Sequence, residues 1–152
     1  MLLGILEFVS IMLAATVMGM FLGPWTALTR TVNRLEPVAF LPVLHQLSQN
    51  MAQVMTALMP FSLVVLLLVM FLTFGRGVTF YAYLIAFLLF LIALIVTTAI
   101  EVPLVKQMEK WNASAMPPAW QKTRDRWMSF HVVRILCGLI GLGVLVAVSM
   151  FH

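Results

Sequence analysis

His131 and Arg134 stand three residues apart in an otherwise apolar stretch, Phe130 to Phe151, so a helix there carries both on one face. An imidazole can serve as a base or bind a metal, and a guanidinium can hold an anion or a developing oxyanion. Two further titratable groups flank neighbouring apolar runs, His45 ahead of one and Glu101 at the end of another. If the runs are helices that pass up and down, all four groups fall within about two turns of one boundary, at about 1.5 Å of rise per residue. His131, Arg134, His45 and Glu101 are therefore the candidate catalytic residues of a site at one mouth of a bundle. His45, His131 and Glu101 are also the candidate ligands if a metal is bound, although they form no known ligand spacing such as HxxxH. Each residue also has a structural reading, because an arginine one turn inside a membrane helix can snorkel to phosphate and a boundary histidine can cap a helix.

Positioning these groups falls to a chain of 152 residues that is 63% hydrophobic and 9% charged, with a mean hydropathy of +1.09. A soluble domain carries about 25% charged residues, so this composition excludes a water-soluble enzyme, a disordered chain and a nucleic-acid-binding domain. The expected fold is all-α: an integral membrane, up-and-down four-helix bundle forming one domain over 1–152. Its spans are expected at about 1–22, 51–74, 79–100 and 130–151, each long enough to cross about 30 Å of hydrocarbon. The bilayer is the expected surrounding.

Gly75-Arg76-Gly77-Val78 reads as a tight turn, while Gly23 to Asn50 and Glu101 to Ser129 are long connections on a shared side. Eight of the nine basic residues (Arg30, Arg34, Lys106, Lys110, Lys122, Arg124, Arg126 and Arg134) lie on that side, against Arg76 on the other. The positive-inside rule places the long connections in the cytoplasm and both termini outside. Gly23-Pro24 is expected to stop the first helix, with Trp25 at headgroup level. After Pro42, Leu44, Leu47, Met51, Val54, Met55 and Leu58 recur at helical steps, which predicts an amphipathic helical extension feeding the second span and a kink at Pro60. Its polar face, His45, Gln46, Gln49 and Gln53, is expected to be solvated or to line a cavity. Met51, Met55 and Met59 form a stripe that suits packing or, less readily, copper. Ala15, Gly19 and Gly23, with Gly138 and Gly141, are expected packing surfaces, and such small-residue faces also offer contact for a homo-oligomer. Glu7 shares a face with Ile11 and Ala15 and is expected to point into the bundle. No phosphate loop, nucleotide fingerprint, CxxC pair or serine nucleophile motif occurs.

Glu101-Val102-Pro103-Leu104, Trp111-Asn112, Pro117-Pro118-Ala119-Trp120, and Arg126-Trp127 followed by His131 and Arg134 resemble the C-terminal half of the anthrone-oxygenase-like family of small four-helix membrane proteins. Gly23-Pro24, His45-Gln46 and Met59-Pro60 resemble a bacterial branch of it, which implies a bacterial inner membrane. Family members in fungal polyketide pathways insert oxygen into an anthrone to make an anthraquinone, and most bacterial members have no assigned reaction. The resemblance implies His131 and Arg134 as leading site residues, followed by His45, Trp127 and Glu101, with Trp127 and Trp25 as candidate substrate contacts. Two positions depart from the usual pattern: Glu101 where relatives carry Asn, and Val105 where a second Asn is common. Two functions stand open. One is an oxidoreductase acting on a lipid-soluble aromatic such as an anthrone or quinol, with His131 or His45 as base, Arg134 on the oxyanion, and either no cofactor or a metal. The other is a non-catalytic membrane subunit or small-ligand binder.

Overall fold

A computed structural model describes residues 1–32 and 34–151; Asn33, His152 and the side chains of Thr29 and Arg30, one of the topological charges, lie outside the described residues. The elements are α1 (Leu2–Val32), α2 (Pro37–Leu72), α3 (Val78–Val96), a π turn (Thr97–Glu101), α4 (Val102–Met108) and α5 (Trp120–Phe151). Four helical stretches, Leu2–Leu28, Pro37–Leu72, Val78–Met108 and Trp120–Phe151, are long and apolar enough to cross a membrane. The protein is thus a multi-pass, all-α integral membrane bundle. Around the bundle α1 packs on α2 and α5, and α3 packs on the same two helices. Phe61, Val64 and Leu68 of α2, Ile85, Leu88 and Ile92 of α3, and Leu136, Leu139 and Ile140 of α5 face outward. In a bilayer these faces meet lipid at no cost.

Four prolines test the helices, and in each case the helix continues. Pro24 does not stop α1, which runs on to Val32. A proline removes one backbone bond, and the turns beyond it are held by packing: Val32 is 3% exposed against Phe40, Leu44 and Met108. The second helix begins five residues before Pro42, at Pro37, whose fixed φ suits the first helical position. It then runs unbroken through Pro42 and Pro60 to Leu72. Pro103 has the largest local effect. It has no N–H to offer Ala99, and the helix widens just before it, so that the Val102 N–H bonds the Thr97 carbonyl five residues back.

At the tight turn Gly75 and Gly77 hold φ of 82° and 58°, values that a side chain would oppose. This reverses the chain within a few residues and sets α3 antiparallel to α2. At the opposite end Val32, Phe40, Leu44 and Met108 form a second small core, covered by Trp111, Trp120 and Trp127. Arg124, one of the topological charges, is buried there at 6% exposure; it pairs with Asp125 at 2.9 Å and lies over the Trp120 ring. Both long connections therefore pack together at one end of the bundle.

The small-residue surfaces divide. A Cβ at Gly141 would stand 2.9 Å from the Phe90 ring, and one at Gly138 would stand 2.8 Å from Met18 Sδ, so α5 approaches α3 and α1 through these glycines. Gly19 and Gly23 have open space, and Ala15 is exposed, so that stripe lies outside the bundle core. The core face of α1 is instead Ser10, Ala14, Val17, Met18 and Phe21. Glu7 shares the flank of Ile11 and Ala15, is half-buried, and lies within electrostatic reach of the buried Tyr83. Gly141→Ala should lower stability by about 1–3 kcal/mol, because the Phe90 ring is fully enclosed and cannot swing away. Gly19→Ala should be neutral or stabilising by comparison, and unfolding in mild detergent would compare the two.

Candidate functional site

Along α5, Trp127, His131, Arg134, Gly138, Gly141, Leu145 and Val148 follow one another at steps of three or four residues and form a single inward stripe. Its lower part is small and apolar and packs the core. Its first two turns carry the polar side chains. His131 and Arg134 are 4% and 6% exposed, and Glu101, also 4%, meets them from the π turn.

The guanidinium of Arg134 makes most of the bonds. Its Nη2 lies 2.5 Å from Glu101 Oε2 and 2.6 Å from His131 Nδ1, and its Nη1 donates to Thr97 Oγ1 at 3.1 Å. The Phe21 ring lies under it at 4.7 Å. Arginine has no acceptor, so Nη2 must donate to Nδ1, which leaves the ring proton on Nε2. That nitrogen lies 3.0 Å from the Phe21 carbonyl and donates to it. The tautomer of His131 is therefore set by its two partners. The carbonyl that Pro24 leaves without its helical donor is that of Met20, the neighbour of Phe21; the Phe21 oxygen serves the imidazole because a carbonyl has two lone pairs.

Among the described residues two buried polar side-chain atoms remain without a hydrogen-bond partner, Glu101 Oε1 and Arg134 Nε. Oε1 stands 3.8 Å from His131 Nδ1, beyond hydrogen-bond reach. Beside them lies a cavity of about 270 Å³, lined by Glu101, His131, Arg134 and Trp127 at its polar end and by side chains such as Met51 and Met55 along its apolar walls. The Trp127 ring lies 6.2 Å from that of His131 with a 30° tilt, which gives the cavity an aromatic wall next to the ion pair.

The structure thus brings Glu101, His131, Arg134 and Trp127 together. His45 is not among the residues that line the cavity. Its side chain is 53% exposed, with Nε2 2.7 Å from Gln49 Nε2 and Nδ1 3.9 Å from Glu109 Oε1. The α2 stripe turns Leu44 inward, which carries the adjacent position outward, and of the four residues on the expected polar face Gln49 reaches the cavity rim. Trp25, 38% exposed on α1, lies outside the cavity lining as well. Among the described residues, no group of three or more His, Cys, Asp or Glu side chains is placed to hold a metal ion. Met55 and Met59 belong to the core cluster, which is the packing role of that stripe. Thr97 and Phe21 complete the site but had no signal in the sequence. A threonine among apolar residues and a backbone carbonyl look ordinary until the helices are assembled.

With that geometry in place, residues 46–144, well over half of the chain, match the profile of the family described as anthrone oxygenase. The chain belongs to the anthrone oxygenase family. No curated protein and no solved structure matches it. Within this anthrone oxygenase family member, Glu101, Thr97, Trp127, His131 and Arg134 all fall inside the matched residues, whereas Phe21, which supplies both a carbonyl and a ring, lies before them.

A buried ion pair is costly to halve, because the survivor keeps its charge without compensation. Arg134→Met should therefore lower unfolding stability by about 3–5 kcal/mol. Adding Glu101→Leu to that variant should recover most of the loss, a non-additivity that a double-mutant cycle in detergent would measure.

Proposed function

We propose that this protein is a membrane oxygenase that acts on a flat, lipid-soluble aromatic of the anthrone or quinol type, with Glu101 as the base. The observation that carries this reading is the unpartnered Oε1 of Glu101, buried on a residue that lines the inner polar end of a mostly apolar cavity. A pair serving only to fasten helices has no need to leave a carboxylate oxygen open, since leaving a buried acceptor unmade costs about 1–3 kcal/mol. The base role passes from His131 to Glu101 because both imidazole nitrogens are engaged, one donating to Phe21 and the other accepting from Arg134. His131 then acts as a positioning residue that fixes the guanidinium.

For an anthrone the steps balance with dioxygen as the oxidant. Oε1 removes one methylene proton, and the resulting negative charge spreads onto the ring oxygen, where Arg134 can hold it through Nε. The carbanion adds to dioxygen with formation of a C–O bond, and the proton on Glu101 passes to the peroxide. Loss of the second methylene proton with cleavage of the O–O bond releases water and leaves a carbonyl. The net change is CH₂ + O₂ → C=O + H₂O, and Glu101 ends as it began. The Trp127 ring offers a face on which a flat substrate can stack. We assign this end of the bundle to the cytoplasmic side on the strength of its excess of basic residues.

Oxygen uptake by the purified protein with anthrone tests the reading. Glu101→Gln should reduce the rate by about 10²- to 10⁴-fold, the usual cost of losing a general base. Arg134→Lys should cost about 10²-fold, because an ammonium cannot serve Glu101, His131, Thr97 and an oxyanion from one plane. Wild-type protein without oxygen uptake on anthrone and a panel of phenols would favour the non-catalytic subunit instead.

A further inference from the structure

The cavity has walls on α2 and α4, and these two elements make the sparsest contact in the bundle. Its lining includes side chains that are also exposed on the outside of the protein, namely Ala52 of α2 and Val102 and Lys106 of α4. The gap between these helices therefore connects the site with the surroundings. One edge of the gap is apolar, formed by Ala52, Val102 and Val105; the other is polar, formed by Ser48, Gln49, Lys106 and Glu109. This sequence of side chains matches the passage from hydrocarbon to headgroups.

Across the polar edge runs a tie. Ser48 Oγ donates to Glu109 Oε1 at 2.7 Å, joining α2 to the end of α4. His45 stands behind it. The Gln49 amide nitrogen can only donate, so its 2.7 Å contact makes His45 Nε2 an acceptor and leaves the proton on Nδ1, which faces Glu109 Oε1 at 3.9 Å. At the mouth of the cavity Ser48 alone bonds this carboxylate oxygen, with the His45 ring beside it and beyond hydrogen-bond reach.

We propose that the gap between α2 and α4 is a lateral portal through which the aromatic substrate enters directly from the membrane, with the Ser48–Glu109 tie as its clasp. The proposal rests on the cavity being the binding site for a flat, lipid-soluble aromatic. It places His45 beside the clasp and outside the chemistry. A lipid-soluble ligand that enters this way never has to cross water, and it reaches Glu101 past apolar side chains only.

A portal governs how fast a ligand exchanges, so changing it moves association and dissociation together and leaves their ratio near its original value. The test uses full-length protein in phosphatidylcholine vesicles and anthraquinone, a flat probe that needs no turnover, followed by stopped-flow quenching of tryptophan fluorescence. Trp127→Phe identifies the part of the signal that comes from the cavity. Ala52→Trp, at an exposed edge position, should slow both rates by about 10-fold or more by crowding the gap. Glu109→Ala, which removes the acceptor from the clasp, should speed both by about two- to ten-fold, the range a single exposed hydrogen bond supports. Wild-type rates in both variants, with binding intact, would overturn the portal and leave the site reading standing. Absence of anthraquinone binding to the wild type would overturn both.

Discussion

The site is organised around the need to keep one guanidinium inside a membrane bundle. An isolated charge at that depth is expensive, and the cost falls only when a counter-charge and hydrogen bonds surround it. Arg134 has Glu101 as its counter-charge, Thr97 and His131 as acceptors, and the Phe21 ring beneath it. These partners come from three separate parts of the chain. The π turn ahead of Pro103 brings Thr97 and Glu101 to the same guanidinium, and α1, next to Pro24, contributes a ring and a carbonyl. Two interruptions of helical regularity thus lie beside the groups that complete the site.

The same arrangement gives the cavity its character. Glu101 and Arg134 cancel in charge, so the polar end is neutral overall while it still holds a buried acceptor and a buried donor without a hydrogen-bond partner among the described residues. Between that end and the rim of Ser48, Gln49, Lys106 and Glu109 the walls are mostly apolar. A ligand that partitions into such a space has to be mostly hydrophobic, and one that stays has to offer a proton to Oε1 or an oxygen to Nε. Those requirements describe an acidic aromatic better than a lipid tail or a soluble metabolite. They fit the membership in the anthrone oxygenase family without being taken from it.

Much of this was legible in the sequence, and the failures have identifiable causes. The three-residue spacing of His131 and Arg134 specified a common face, and the up-and-down topology correctly brought Glu101 to it. His45 was misjudged because nearness to the boundary was read as convergence; the α2 stripe spends its inward position on Leu44 and turns His45 to the rim. Gly23-Pro24 looked like a helix stop because local propensity was weighed without the packing of Val32 that carries α1 onward. Ala15, Gly19 and Gly23 looked like a packing surface because spacing alone cannot say which face of an apolar helix meets lipid. Which atom of His131 and Glu101 stays open depends on which lone pairs are occupied. That is a matter of tenths of an ångström between helices far apart in sequence, and no residue pattern carries it.

The central claim is that His131 is held as the Nε2–H tautomer between the Phe21 carbonyl and the Arg134 guanidinium, which leaves the open carboxylate oxygen on Glu101. Nitrogen NMR of protein labelled in its histidine rings, with His131→Gln for assignment, reads this directly at neutral pH. The account predicts one protonated and one bare ring nitrogen for His131, the proton on Nε2, and a change in the bare nitrogen's shift on Arg134→Lys. A ring protonated on Nδ1, or on both nitrogens, would contradict it.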